Sequence, residues 1–218
     1  MQVFHRSANS IAKLSIVVVA ALVAFSGWLG LELFRSSYIT RQGEIHEQPV
    51  PFSHEHHVAG LGLDCRYCHT SVETSGFAGL PPSATCMNCH RQIWTNADLL
   101  EPVRASYANN VPLRWTRVHK LPEYVYFNHS VHVAKGMGCV TCHGQVDQMP
   151  LMYQESPLTM EWCIACHRDP AQNVRPRSEV FNMKWQPPAD PRVAAVKRVE
   201  WARAVNLRSL TSCSTCHR

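Results

Sequence analysis

Ten cysteines and thirteen histidines stand in a chain of 218 residues. The cysteines form five pairs, Cys65/Cys68, Cys86/Cys89, Cys139/Cys142, Cys163/Cys166 and Cys213/Cys216, and every pair is spaced C-x-x-C. A histidine follows each pair at once: His69, His90, His143, His167 and His217. C-x-x-C-H is the attachment pattern of c-type haem, in which two thiols bond the porphyrin and the adjacent imidazole takes one axial position on the iron. A single copy would also suit a dithiol redox site or half a zinc site. Five copies that use every cysteine argue against a disulfide framework, and tetrahedral zinc sites would leave five adjacent histidines without a role. The sequence therefore predicts five covalently bound haem c groups, with the ten cysteines as attachment points and these five histidines as proximal ligands.

The other face of each iron needs a ligand too. "FSHEHHVAGLGLDCRYCH", from Phe52, and "FNHSVHVAKGMGCVTCH", from Phe127, repeat one pattern. Phe52 matches Phe127, His54 matches His129, His57 matches His132 and Val58 matches Val133, with one residue more before the cysteines in the first copy. A second haem motif follows each copy, in "PPSATCMNCH" and "SPLTMEWCIACH", so the repeat covers 52–90 and 127–167 and leaves the fifth motif, 213–217, outside it. Residues at i and i+3 share a face of a helix, so one H-x-x-H turn can offer imidazoles to two neighbouring haems. His54, His57, His129 and His132 are the expected distal ligands. A fifth is needed if every iron is six-coordinate; His119, in "WTRVHKLPEYVYFNH", is preferred and Met160 is the alternative, with Met149 behind it. His5 precedes an apolar segment and is out of reach, while His46 and His56 read as solvated or hydrogen-bonding groups.

These side chains must be positioned by a small scaffold. The residues after the apolar segment carry five predicted haems, too few per haem for an ordinary core around each. The porphyrins themselves are expected to form the core. The predicted fold is mostly α with much irregular structure: one N-terminal transmembrane helix, then a haem-cored domain with minimal sheet. Pro- and Gly-rich connections such as "GLPPSATC" and "QPPADP" fit that reading. One longer helix is predicted over 191–206, with Val193, Val196, Val199, Trp201 and Val205 as its buried positions.

Residues 15–34, "SIVVVAALVAFSGWLGLELF", are long and apolar enough to cross a bilayer. The run is long for a signal-peptide core, and no clear small-residue cleavage site follows it. The expected organisation is a cytoplasmic N-terminus over 1–14, a single span over 15–34 and a periplasmic domain over 35–218. Flanking charge orients the span weakly; the placement rests on the attachment of haem c outside the energy-conserving membrane. The formal net charge of +5 is offset by haem propionates, for which arginine is the natural partner. It is not read as a nucleic-acid footprint, although the basic stretch from Arg175 to Arg208 could also face an acidic protein.

At "HKLPEYVYFNHSVHVAKGMGCVTCHGQVDQM" and "PLTMEWCIACHR" the chain resembles the cytochrome c7-like, class III multihaem family, and its single anchor and five motifs resemble the pentahaem subunit of bacterial alternative complex III. That resemblance implies an electron wire in a quinol-oxidising membrane complex. Its implied partners are an iron–sulfur subunit, polytopic quinol-binding subunits, a monohaem cytochrome, and a soluble carrier or oxidase downstream. Two other classes compete with it. A multihaem reductase would need an iron with an open axial position. A stand-alone, single-anchor quinol dehydrogenase would place its first haem close to the membrane helix, whereas a long segment separates Phe34 from Cys65.

Overall fold

The computed structural model describes residues 4–217. The chain divides into two compact units, 1–41 and 42–218. The first of the predicted N-terminal positions, 1–3, lie outside the described residues.

The first unit is dominated by α1, Ala8–Arg35, followed by the single turn α2, Ser37–Thr40. The helix starts earlier than the apolar run because Ala8 to Leu14 contains no breaker. Its 28 residues extend about 42 Å at the α-helical rise, more than a ~30 Å hydrocarbon layer requires. Within the unit none of its residues is buried. Its polar Ser15 and Ser36 return their hydroxyls to the helix, donating to the carbonyls of Ala12 (2.9 Å) and Leu33 (2.6 Å). By length and composition it is able to cross a membrane.

The second unit is a series of short helices joined by irregular chain. They are α3, Cys65–Cys68; α4, Ser83–His90; α5, Glu101–Asn109; α6, His129–Ala134; α7, Cys139–His143; α8, Met160–Arg168; α9, Pro191–Ala204; and α10, Cys213–Cys216. A π-helical turn covers Glu55–Gly60. Strand pairing among the described residues is limited to isolated antiparallel bridges, Ile45 with Tyr153, Val125 with His217 and Met137 with Val174. This is the mostly helical, sheet-poor architecture that the sequence predicts.

Its apolar interior is small. Eleven hydrophobic residues are buried among those described, and the one cluster joins Val50, Met87, Leu100 and Val103 where α4 meets α5. Leu113 and Trp115 cover that cluster. So little buried apolar surface cannot by itself offset the ordering of so long a unit. A large apolar group filling the interior resolves that deficit.

Helix α9 corrects one expectation. It forms where predicted, with Asp190 capping the Arg192 N–H at 2.8 Å and Pro191 in the first turn. Its buried face is centred on Ala194, and Trp201 packs edge-on against Trp185 with ring centroids 5.6 Å apart. Val193, Val196 and Val199 are exposed instead. The helix packs on the turn at Pro170–Gln172, where Arg198 donates to Gln172 Oε1 at 2.9 Å, and this contact together with Trp185 sets the face turned inward.

Candidate haem sites

Each C-x-x-C pair occupies one helical turn, which brings thiols at i and i+3 to a common face. Motifs one, three and five are themselves short helices, α3, α7 and α10, while motifs two and four end α4 and α8. Two of the five helices start from a side-chain cap. Asp64 accepts from the Arg66 N–H at 2.8 Å, and Thr159 accepts from the Trp162 N–H at 3.4 Å. Burial raises the thiol pKa of Cys65, Cys68, Cys86, Cys163 and Cys166, and most of all that of Cys139 and Cys142, which rise to about 12. These seven are neutral, part-buried thiols rather than thiolates gathered around an ion. Among the described residues no group of three His, Cys, Asp or Glu side chains converges as a bare metal site.

The imidazoles are held in one tautomer. Nδ1 of His69 donates to Gly79 O (2.7 Å), His90 to Ile93 O (3.3 Å), His167 to Leu210 O (3.1 Å) and His217 to Tyr124 O (3.2 Å). In the H-x-x-H turns, His57 donates to Ser53 O (2.8 Å), His129 to Gly76 O (2.9 Å) and His132 to Asn128 O (2.8 Å). A carbonyl only accepts, so Nδ1 carries a proton, and in the neutral ring that leaves the lone pair on Nε2. That is the arrangement of a metal-ligating histidine fixed by a backbone acceptor.

Ring spacing then shows which imidazoles face one another. His57 and His90 have centroids 6.3 Å apart at 64°, and His132 and His167 are 6.1 Å apart at 64°. His129 and His143 are separated by 6.3 Å. Two imidazoles on opposite sides of one iron, each with a metal–nitrogen bond of ~2 Å, have centroids about 6 Å apart. His54 is buried beside His69 and His57; burial first, then those two neighbours, lower its pKa to about 4 and keep it neutral.

The two H-x-x-H turns are near copies in space. Phe52 meets His54 edge-on at 4.9 Å and stacks on His57 at 4.4 Å; Phe127 meets His129 edge-on at 4.8 Å and stacks on His132 at 4.5 Å. The extra residue of the first copy is absorbed by the π-helical turn, in which Leu61 N–H reaches His56 O at 3.1 Å. A one-residue insertion widens the turn and leaves the histidine geometry intact.

His119, the preferred fifth distal residue, lies next to His143. Its Nε2 is 3.2 Å from Nδ1 of His143, and the two rings are 4.3 Å apart, too close to flank an iron. It therefore sits behind His143, and among the described residues no ring contact joins it to His217. Met160 opens α8 and is 70% exposed, whereas Met87, Met137, Met149 and Met183 are buried. His46 lies 3.6 Å from Glu44, and His56 stacks on Trp94 at 6.0 Å.

Buried polar atoms test whether a haem suits this interior. Among the described residues three have no partner: His54 Nδ1, Asp147 Oδ1 and Arg175 Nε. Arg175 is 6% exposed, lies 4.7 Å over the Trp185 ring and donates from one terminal nitrogen to Asn182 O at 3.2 Å. It also lines a cleft of about 280 Å³ with Val140 and Thr141 of motif three and Arg198. Gly138, directly before Cys139, admits the guanidinium where any Cβ would collide with it. A cationic group buried beside an attachment motif fits a haem propionate. Composition suggested arginine partners in general, but singling out Arg175 required its burial, which no sequence pattern encodes.

Comparison with known proteins agrees with this chemistry. Residues 125–218 match the family described as cytochrome c7 and related cytochrome c, a stretch that contains motifs three, four and five. The chain is also 31% identical over 157 residues to the menaquinone reductase multihaem cytochrome c subunit of Nitratidesulfovibrio vulgaris. The alignment covers 72% of this chain and 64% of that relative.

Proposed function

We propose that this chain is a cytochrome c7-like multihaem cytochrome c and a membrane-anchored electron-transfer subunit of a quinol-oxidising complex of the alternative complex III kind. The ten motif cysteines would hold five haem c groups, with His69, His90, His143, His167 and His217 on the proximal side. The groups supply reversible one-electron chemistry when bound. His54, His57, His129 and His132 take distal positions, and α1 fixes the chain in the cytoplasmic membrane with the second unit on the periplasmic side.

The observation that carries this reading is the pairing of imidazoles at about 6 Å, each with its Nδ1 held by a backbone carbonyl, seen for His57 with His90 and His132 with His167. Imidazole on both sides suits electron transfer, because the coordination shell stays closed and the ligands set the potential. The chain supplies covalent anchorage, fixed tautomers and buried cations, and it excludes water from the axial positions. Partners would be iron–sulfur and polytopic quinone-binding subunits, a monohaem cytochrome, and a soluble carrier or oxidase.

A second reading reverses the direction of flow. It is favoured by the name of the relative, a subunit of a menaquinone reductase. Rapid mixing of the purified membrane complex with menaquinol decides between them. Haem reduction by menaquinol, followed by reoxidation by a soluble cytochrome, is the expected result. Haem oxidation on adding menaquinone to the reduced complex, with no reduction by menaquinol, would establish the reverse direction. Stoichiometric carbon monoxide binding to the ferrous wild-type protein would defeat the closed-shell reading.

A further inference from the structure

We infer that the five attachment sites lie in the spatial order two–one–three–four–five, not in sequence order, so that the motifs at His90 and His217 form the two ends of the array. This rests on the haem reading above and on contacts between motifs.

Motifs one and two are joined directly, since Asn88 Nδ2 donates to the Tyr67 hydroxyl at 3.0 Å. The π-helical turn joins them again: His57 faces His90, and His54 lies beside His69. Motifs three and four are joined in the same manner by α6, whose His129 faces His143 and whose His132 faces His167.

The junction between the two copies is reciprocal. Glu55 N–H, in the first H-x-x-H turn, donates to Met149 O just after motif three, at 3.1 Å. Ser130 N–H, in the second, donates to Ser75 O just after motif one, also at 3.1 Å. His129 adds two bonds to Gly76 O, from its backbone N–H (3.2 Å) and its Nδ1 (2.9 Å). Each copy thus packs its histidine turn on the loop that follows the first motif of the other copy. This exchange puts motif one against motif three and turns motif two outward. The electrostatic neighbours of His143 agree, since they include His129, His69 and His54.

Motif five is tied to motif four. His167 and Leu210 exchange backbone and side-chain bonds, with Leu210 N–H to His167 O at 3.3 Å and His167 Nδ1 to Leu210 O at 3.1 Å. An independent observation marks the ends. Among the ten cysteines only Cys89 and Cys213 are exposed, one in motif two and one in motif five. Electron exchange with outside partners then belongs to the surfaces around these two motifs.

Anomalous diffraction at the iron edge, from the haem-loaded full chain, tests the order. The iron on His69 should be nearer that on His143 than the iron on His90 is, and the irons on His90 and His217 should each have one close neighbour. An iron on His90 closer to His143, or an iron on His217 nearest to any site but that of His167, would overturn the order. Fewer than five irons, or an axial position open to water, would instead defeat the functional reading. In solution, Cys86→Ala/Cys89→Ala should leave the magnetic coupling among the remaining four haems unchanged. Loss of coupling between the sites of His69 and His143 in that variant, with all four haems retained, would count against motif two being terminal.

Discussion

Nε2 of His119 lies 3.2 Å from Nδ1 of His143, on the side of the ring away from the nitrogen that is free for iron. The other four proximal histidines give Nδ1 to a backbone carbonyl. His143 alone is backed by an imidazole. His119 is part-buried and held neutral, its pKa lowered to about 4 by burial and then by His129. It thus positions His143. His119→Ala should shift the potential of one haem by about 40 mV, the scale of one hydrogen bond on a one-electron couple. Its ligand-field spectrum should move while the other four stay fixed. Conversion of a haem to a high-spin form would show instead that His119 is an axial ligand.

With His119 so engaged, we propose Met160, the alternative fifth ligand, for the distal side of motif five. The first copy of the repeat has Ser83 three residues before Cys86, where the second has Met160 three before Cys163. Its exposed side chain follows Leu158, whose φ of 53° is a strained conformation for a branched residue, and the Thr159 cap. The Cys163 thiol pKa is raised by burial and next by Cys216, which puts motif five nearby. Met160→Ala should yield one carbon monoxide-binding haem, and Met160→His should lower the potential of one haem, because Met/His ligation raises it. Unaltered near-infrared charge-transfer spectra in both variants would contradict the assignment.

The matching environments of His57 and His132 predict matching defects. His57→Ala and His132→Ala should each open one iron, at the sites of His90 and His167, and each variant should bind one carbon monoxide per chain. Additional open sites would mean that the two turns are not independent clamps.

Arg175 places a positive charge, with an unpartnered Nε, beside motif three. A nearby cation favours the reduced state, so Arg175→Leu should lower the potential of the haem there. Arg175→Lys should lower it less, as it keeps the charge and loses the fork. Redox titration of the two variants checks the ranking.

Burial, and then His129, holds the pKa of His119 at about 4, against 6.5 for a free imidazole. Below pH 6.5 the unfolded chain takes up a proton that this residue refuses until the pH nears its folded value. Its contribution to stability is therefore complete above pH 6.5 and is lost as pH falls towards 4. Denaturant midpoints at pH 7 and pH 5 should differ in that direction, and His119→Gln should reduce the difference.

By itself the sequence determined the attachment chemistry, because C-x-x-C-H is local and works in one helical turn. It also determined the repeated F-x-H-x-x-H unit, the long apolar α1 and the helix at Pro191–Ala204, each set by residues close in the chain. The tertiary structure decided what depends on residues far apart. His119 is 24 positions from His143, and nothing in its neighbours' identities says which side of an imidazole it meets. The buried face of α9 was decided by Trp185 and the turn at Pro170–Gln172, and the burial of Arg175 by the gap at Gly138. The order of the motifs followed from an exchange of histidine turns between the two copies, a packing choice made across more than fifty residues of chain. Local patterns fix which bonds a side chain is able to make; only the fold fixes which partner arrives.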